Sequence, residues 1–106
     1  MGDTMSLVVA LVKKEKLRNA FMREHYKQEI AALPRGTIVK KKVGNHDYYY
    51  IKYRSGNKTV TDYLGKNPEK IEQTRQQLQK RKHDEEMLSE LNKERDMIIK
   101  MLEDEK

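Results

Sequence analysis

Apolar residues along this chain follow two periods in turn. From Ser6 to Leu33 they return every three or four positions: Leu7, Ala10, Leu11, Leu17, Phe21, Met22 and Ala32 share one side of a 3.6-residue helix. Lys14, Arg18 and His25 interrupt that stripe, and the charged run 13–16 offers a place for a break. Pro34 and Gly36 end the helix, because proline disfavours the helical conformation in the residue before it. Over residues 36–66 the period shortens to two, with runs rich in Val, Ile, Thr and Tyr at about 37–43, 47–54 and 58–64. The longer period then resumes. Asn67 is an N-cap, Pro68 suits the first helical position, and Glu69 and Glu72 favour the positive end of the helix dipole. Ile71, Leu78, Leu88, Leu91, Ile98 and Leu102 mark the stripe of this second helical segment, 67–104, and residues 82–84, where three basic residues meet three acidic ones, leave a break open. The fold class is therefore α+β, a single domain over 1–106: long helix, three-stranded antiparallel meander, long helix.

Alternation within the strands assigns side chains to faces. A two-residue turn at Gly56-Asn57 pairs Tyr53 with Val60 and Tyr49 with Leu64; a three-residue turn at 44–46 pairs Val39 with Ile51. That register puts Val39, Val43, Tyr49, Ile51, Tyr53, Val60 and Leu64 on an apolar face with Lys41 as the odd member. Lys40, Lys42, Tyr48, Tyr50, Lys52, Arg54, Thr59, Thr61 and Tyr63 fall on the opposite, basic face. Tyr49 and Tyr53 are expected to be buried against helical residues such as Phe21, with Tyr48 and Tyr50 outside.

Charge sharpens this division. The chain of 106 residues is 36% hydrophobic and 38% charged, with a net charge of +6. Residues 1–34 carry +2, residues 35–66 carry +6 and residues 67–106 carry −2, so the sheet segment alone accounts for the basic excess. A polyanionic partner is the natural match. Cysteine is absent, which excludes disulfides and thiolate metal sites. No apolar run reaches the length of a membrane span, and a cytoplasmic location is expected.

The candidate nucleic-acid-binding residues are Lys40, Lys42, Lys52, Arg54, Tyr48, Tyr50, Lys58 and Tyr63. Cations at strand spacing neutralise phosphates, tyrosines offer hydroxyls or flat faces for unpaired bases, and arginine can read guanine in a groove. The bland alternative is a sheet face kept charged against edge aggregation. Catalysis is not expected: His25, His46 and His83 sit in different segments, no glycine-rich phosphate loop occurs, and neither metal nor cofactor is implied. The steps of 3, 4, 3 and 4 through Leu88, Leu91, Arg95, Ile98 and Leu102 form a coiled-coil-like seam. It either packs on the first helix, the two running antiparallel, or serves a homodimer through Leu88, Leu91, Ile98 and Leu102.

Three stretches carry a resemblance: Leu33-Pro34-Arg35-Gly36-Thr37-Ile38-Val39, then Tyr48-Tyr49-Tyr50-Ile51-Lys52-Tyr53-Arg54-Ser55-Gly56, then Tyr63-Leu64-Gly65-Lys66. Over about 33–75 the chain resembles a core found in small proteins of phages, plasmids and conjugative elements of Gram-positive bacteria. In layout the meander also looks like the arm-type DNA-binding domains of tyrosine recombinases. In size and habit the chain is similar to anti-CRISPR inhibitors, which implies a partner such as an RNA-guided nuclease of the Cas9 type. The charge of +6 argues against acidic mimicry of DNA. The resemblance thus implies a non-catalytic binder of nucleic acid or of a nucleoprotein. A sequence-specific DNA-binding accessory protein and a dimerising helical adaptor are the alternatives.

Overall fold

The computed structural model describes residues 3–104. The order is α1 (Asp3–Ala32), β1 (Thr37–Val43), β2 (His46–Ser55), β3 (Lys58–Gly65) and α2 (Pro68–Glu103). The α+β architecture is as the periodicities indicate. Both helices are continuous through 13–16 and 82–84, the two places where the sequence left a break open. Two compact units divide the chain: residues 3–30 with 84–104, and residues 31–83.

The first unit is a helical hairpin. Asn19 of α1 meets Leu91 and Glu94 of α2, Val12 shares a groove with Ile98, and Val9 shares another with Leu102. Numbers fall on one helix as they rise on the other, so the pair is antiparallel. Leu91 and Ile98 are buried, and Leu88 and Leu102 are half-buried. The seam Leu88, Leu91, Ile98 and Leu102 is thus used within the chain, packed on α1, the first of the two uses its spacing offers.

The stripe of α1 that faces inward is not the most apolar one. Val9, Val12, Asn19, Arg23, Tyr26 and Ile30 are buried or half-buried, whereas Leu7, Ala10, Leu11, Leu17, Phe21 and Ala32 are exposed; of the stripe expected inside, only Met22 is half-buried. Asn19 explains the choice. It is 1% exposed, donates from Nδ2 to the Leu91 carbonyl (2.9 Å) and to Glu94 Oε1 (3.1 Å), and accepts at Oδ1 from Arg23 Nε (2.8 Å). A buried amide needs such partners, and a single polar residue on a coiled-coil seam fixes which turn meets which.

The second unit sets the sheet, in order β1-β2-β3, with the first half of α2. Ile51, Ile71 and Thr74 are its buried side chains. The N-cap works as expected: Asn67 Oδ1 accepts from the Glu69 amide at 3.0 Å. Arg81 Nη1 donates to the Leu33 carbonyl (2.9 Å), fastening α2 to the approach to β1.

The β2–β3 register agrees with expectation at Tyr53 and Val60. Nearer Gly65 a bulge leaves Leu64 as the extra residue of β3, so Tyr49 faces Gly65 and not Leu64. The β1–β2 register differs by one residue. Val39 pairs with Tyr50 and Ile38 with Ile51, because the turn is the two-residue Gly44-Asn45 between Val43 and His46. Gly44 and Gly56 have φ of 64° and 63°, while no non-glycine residue has positive φ among those described. Positive φ at the first central position alone is the type II′ pattern, whose twist matches that of antiparallel strands. A slip of one residue exchanges the faces of a whole strand. Thr37, Val39, Lys41 and Val43 therefore join Tyr48, Tyr50, Lys52, Arg54, Thr59, Thr61 and Tyr63, while Ile38, Lys40 and Lys42 lie with Tyr49, Ile51, Tyr53, Val60, Asp62 and Leu64.

Candidate nucleic-acid interface

Pleating places Tyr48 and Tyr50 on the same face of β2, and the register brings Tyr63 directly opposite Tyr50. The three rings form a cluster. Tyr50 and Tyr63 are 5.4 Å apart and edge-to-face, and Tyr48 and Tyr63 are 6.4 Å apart and tilted. All of Tyr48, Tyr49 and Tyr50 are half-buried, so the expected contrast between buried Tyr49 and exposed Tyr48 and Tyr50 is absent. Tyr63 is 56% exposed and forms the crest of the cluster.

Two ammonium groups ride on these rings. The Lys41 Nζ lies 5.1 Å from the Tyr50 centroid, and the Lys66 Nζ lies 4.7 Å from that of Tyr48. Lys52 and Arg54 project from β2 on the same face and are exposed. Of the residues singled out from the sequence, the structure thus brings together Tyr48, Tyr50, Tyr63, Lys52 and Arg54. It places Lys40, Lys42 and Lys58 on the opposite face by strand parity. Lys41 and Lys66 take their place. The repeated Gly-Asn pair was the signal for Lys41, since the same dipeptide at 44–45 and 56–57 calls for the same two-residue turn.

Both acidic residues of the sheet lie away from this cluster. Asp47 pairs with Lys42 and Asp62 with Ile51, positions whose side chains share the opposite face. The tyrosine face consequently presents four cations, Lys41, Lys52, Arg54 and Lys66, and no carboxylate from the strands.

The opposite face carries different chemistry. A groove of about 520 Å³ runs over Leu33, Pro34, Arg35, Ile51, Tyr53, Asp62 and Arg81. The Arg35 guanidinium stands 5.1 Å from the Tyr53 ring centroid, and the Tyr53 hydroxyl donates to Asp62 Oδ2 at 3.1 Å. That hydrogen bond, aided by desolvation and by the carboxylate charge, raises the Tyr53 pKa above its ordinary value. Among the described residues no group of three or more His, Asp or Glu is arranged to hold a metal ion, and no helix is long and apolar enough to cross a membrane.

The family described as a domain of unknown function (DUF6788) matches residues 14–76, more than half of the chain. The chain belongs to this family. No curated protein and no solved structure matches it. In this DUF6788 chain the matched stretch takes in all three strands and hence every residue of the tyrosine–lysine cluster. The second half of α2, which forms the hairpin with α1, lies beyond the match.

Proposed function

We propose that the tyrosine face of the sheet is a nucleic-acid docking surface and that the protein acts by binding, not by catalysis. The observation that carries this reading is the segregation of charge: four cations and three clustered tyrosines share one face, while Asp47 and Asp62 lie on the other. A face kept charged only for solubility gains nothing from excluding one sign, whereas a polyanion surface does. Lys41, Lys52, Arg54 and Lys66 would contact phosphates, and Tyr63 would offer the most accessible ring to a base. Arg54 has the planar fork needed for bidentate contact with guanine.

Binding of the full chain to a labelled single strand and a labelled duplex, at several salt concentrations, tests this. Each lost phosphate contact lowers the slope of log affinity against log salt by about 0.7 on a single strand and about 0.9 on a duplex. Lys41→Ala with Lys66→Ala is expected to lower it by about 1.4 to 1.8, while Lys40→Ala with Lys42→Ala, on the other face, leaves it nearly unchanged. Equal effects of the two pairs would refute the reading. The same assay repeated with an RNA-guided nuclease loaded with its guide addresses the finer role implied by the likeness to anti-CRISPR proteins. Tighter binding to the loaded complex than to its nucleic acid alone favours inhibition of such a nuclease. A footprint at one defined sequence in its absence favours the DNA-binding accessory role.

A further inference from the structure

The sheet unit keeps its exposed apolar surface where its cations are. Val43 and Tyr63, 62% and 56% exposed, are the exposed large apolar side chains of residues 31–83, and both stand on the tyrosine face. His46 joins them. It opens β2 on the parity of Tyr48 and Tyr50, and its ring meets that of Tyr48 edge-on at 6.4 Å. From His46 through Tyr48 and Tyr63 to Tyr50, neighbouring ring centroids are thus 6.4, 6.4 and 5.4 Å apart. Past the rings, Lys52 and Arg54 continue the same side of β2.

Phosphate contact alone has no use for an apolar row. In a duplex the bases stack on one another, and phosphate, sugar and groove edges face outward. In an unpaired strand the flat faces of the bases are open, and aromatic side chains match them. Cross-strand pairing within the sheet accounts for Tyr50 against Tyr63. It does not account for His46, which extends the row to the turn, or for the exposure of Tyr63. The dimensions agree with a strand. Same-face residues along β2 are about 6.8 Å apart, so the run from His46 to Arg54 covers about 27 Å. At about 3.4 Å per nucleotide when stacked and about twice that when drawn out, roughly four to eight nucleotides lie along it.

The ammonium groups suit the same ligand. Lys41 and Lys66 stand over the Tyr50 and Tyr48 rings at 5.1 and 4.7 Å, so a base arriving on either ring releases a cation beside its own phosphate. Among the described residues no cation covers Tyr63, whose ring is open to a base at once. We propose, on the reading of this face as a nucleic-acid surface, that its ligand is an unpaired strand, with bases stacked on Tyr63 and the rings in line with it and phosphates held by Lys41, Lys52, Arg54 and Lys66. Every residue involved lies within 31–83.

Titration of the full chain against four end-labelled probes of about twelve nucleotides, long enough to pass the row, provides the test. The probes are an oligo-deoxythymidine, an oligo-uridine, an abasic strand of equal charge and a duplex of equal length. Stacking contributes about five- to 100-fold in affinity per base. At least one of the two base-bearing strands is therefore expected to bind about tenfold or more tighter than the abasic strand, and tighter than the duplex. Either sugar supports the proposal, and the tighter of the two names RNA or DNA as the source. Tyr63→Leu, at an exposed position, is expected to close much of the gap to the abasic strand while the dependence on salt persists; Tyr63→Phe, which keeps the flat ring, is expected to retain the gap. Equal affinity for base-bearing and abasic strands, or preference for the duplex, overturns the unpaired strand while the salt slopes of the lysine pairs still report a polyanion surface. Failure of all four probes to bind overturns both.

Discussion

The hairpin and the sheet unit reach a unique pairing by different devices. In the hairpin, α1 carries two stripes that could face α2, and the one chosen is anchored by Asn19, a buried amide with three hydrogen bonds. In the sheet unit, the pairing of β1 with β2 follows from a two-residue turn at Gly44-Asn45 and is indifferent to the lysines it places on either face. One register is held by a side chain, the other by backbone conformation. Apolar count decides neither: the richer stripe of α1 is left outside, and Val43 is 62% exposed while Ile38 lies opposite Ile51. Apolar patterning selects helix or strand, and a few polar or glycine residues then select among the pairings that patterning leaves open.

The contrast makes the sheet unit sensitive to backbone change. Gly36, just before β1, has φ of 118°, and a Cβ there would run into the Lys52 carbonyl oxygen and touch Tyr53 Cβ at 3.0 Å. Gly36→Ala combines a disfavoured φ with a backbone collision and is expected to cost about 2–5 kcal/mol. Urea denaturation measures the loss. Amide exchange should quicken through 37–65 far more than through 84–104, and uniform loosening of both stretches would erase the distinction between the units. The corresponding weak point of the hairpin is a side chain. Asn19→Ala removes the amide and leaves a small cavity, at about 1–3 kcal/mol, with exchange quickening first in 84–104. A silent Asn19→Ala would transfer the choice of stripe to the valines at 9 and 12.

The smallest effect concerns Tyr53. Its folded-state pKa is raised, so whatever its hydrogen bond to Asp62 adds to stability is present below the ordinary phenol pKa and is lost as pH rises through the folded value. Asp62→Ala removes the acceptor and the carboxylate charge together and should move the titration of the Tyr53 ring, followed by NMR of labelled tyrosine, to lower pH. An unmoved midpoint would assign the shift to desolvation.

Much of this molecule was legible in its sequence. The order of elements, the N-cap at Asn67, the parity of β2 and the cationic character of the 35–66 segment are local properties, and local patterns report them. Lys40, Lys41 and Lys42 were not separable by pattern, because a run of three identical residues contains no alternation; only the turn could phase them. Reading 44–46 as three residues reversed the strand and moved Lys41 to the wrong face. Lys66 was hidden for another reason, since it lies beyond the end of β3 and reaches Tyr48 only through the side chain. The preference for Leu7, Leu17 and Phe21 over Val12 and Asn19 failed because hydrophobicity ranks stripes by their water aversion and takes no account of what the opposite helix can bond.

The ring cluster also gives the protein an optical handle. The chain has no tryptophan and six tyrosines, so its ultraviolet emission comes from phenol rings with no indole to drain their excitation. Three of the six, Tyr48, Tyr50 and Tyr63, stand within 6.4 Å of a neighbouring ring in the cluster and pass excitation among themselves. A quencher that reaches the exposed Tyr63 therefore draws light from its neighbours as well, and the unlabelled protein reports occupancy of that face by its own dimming.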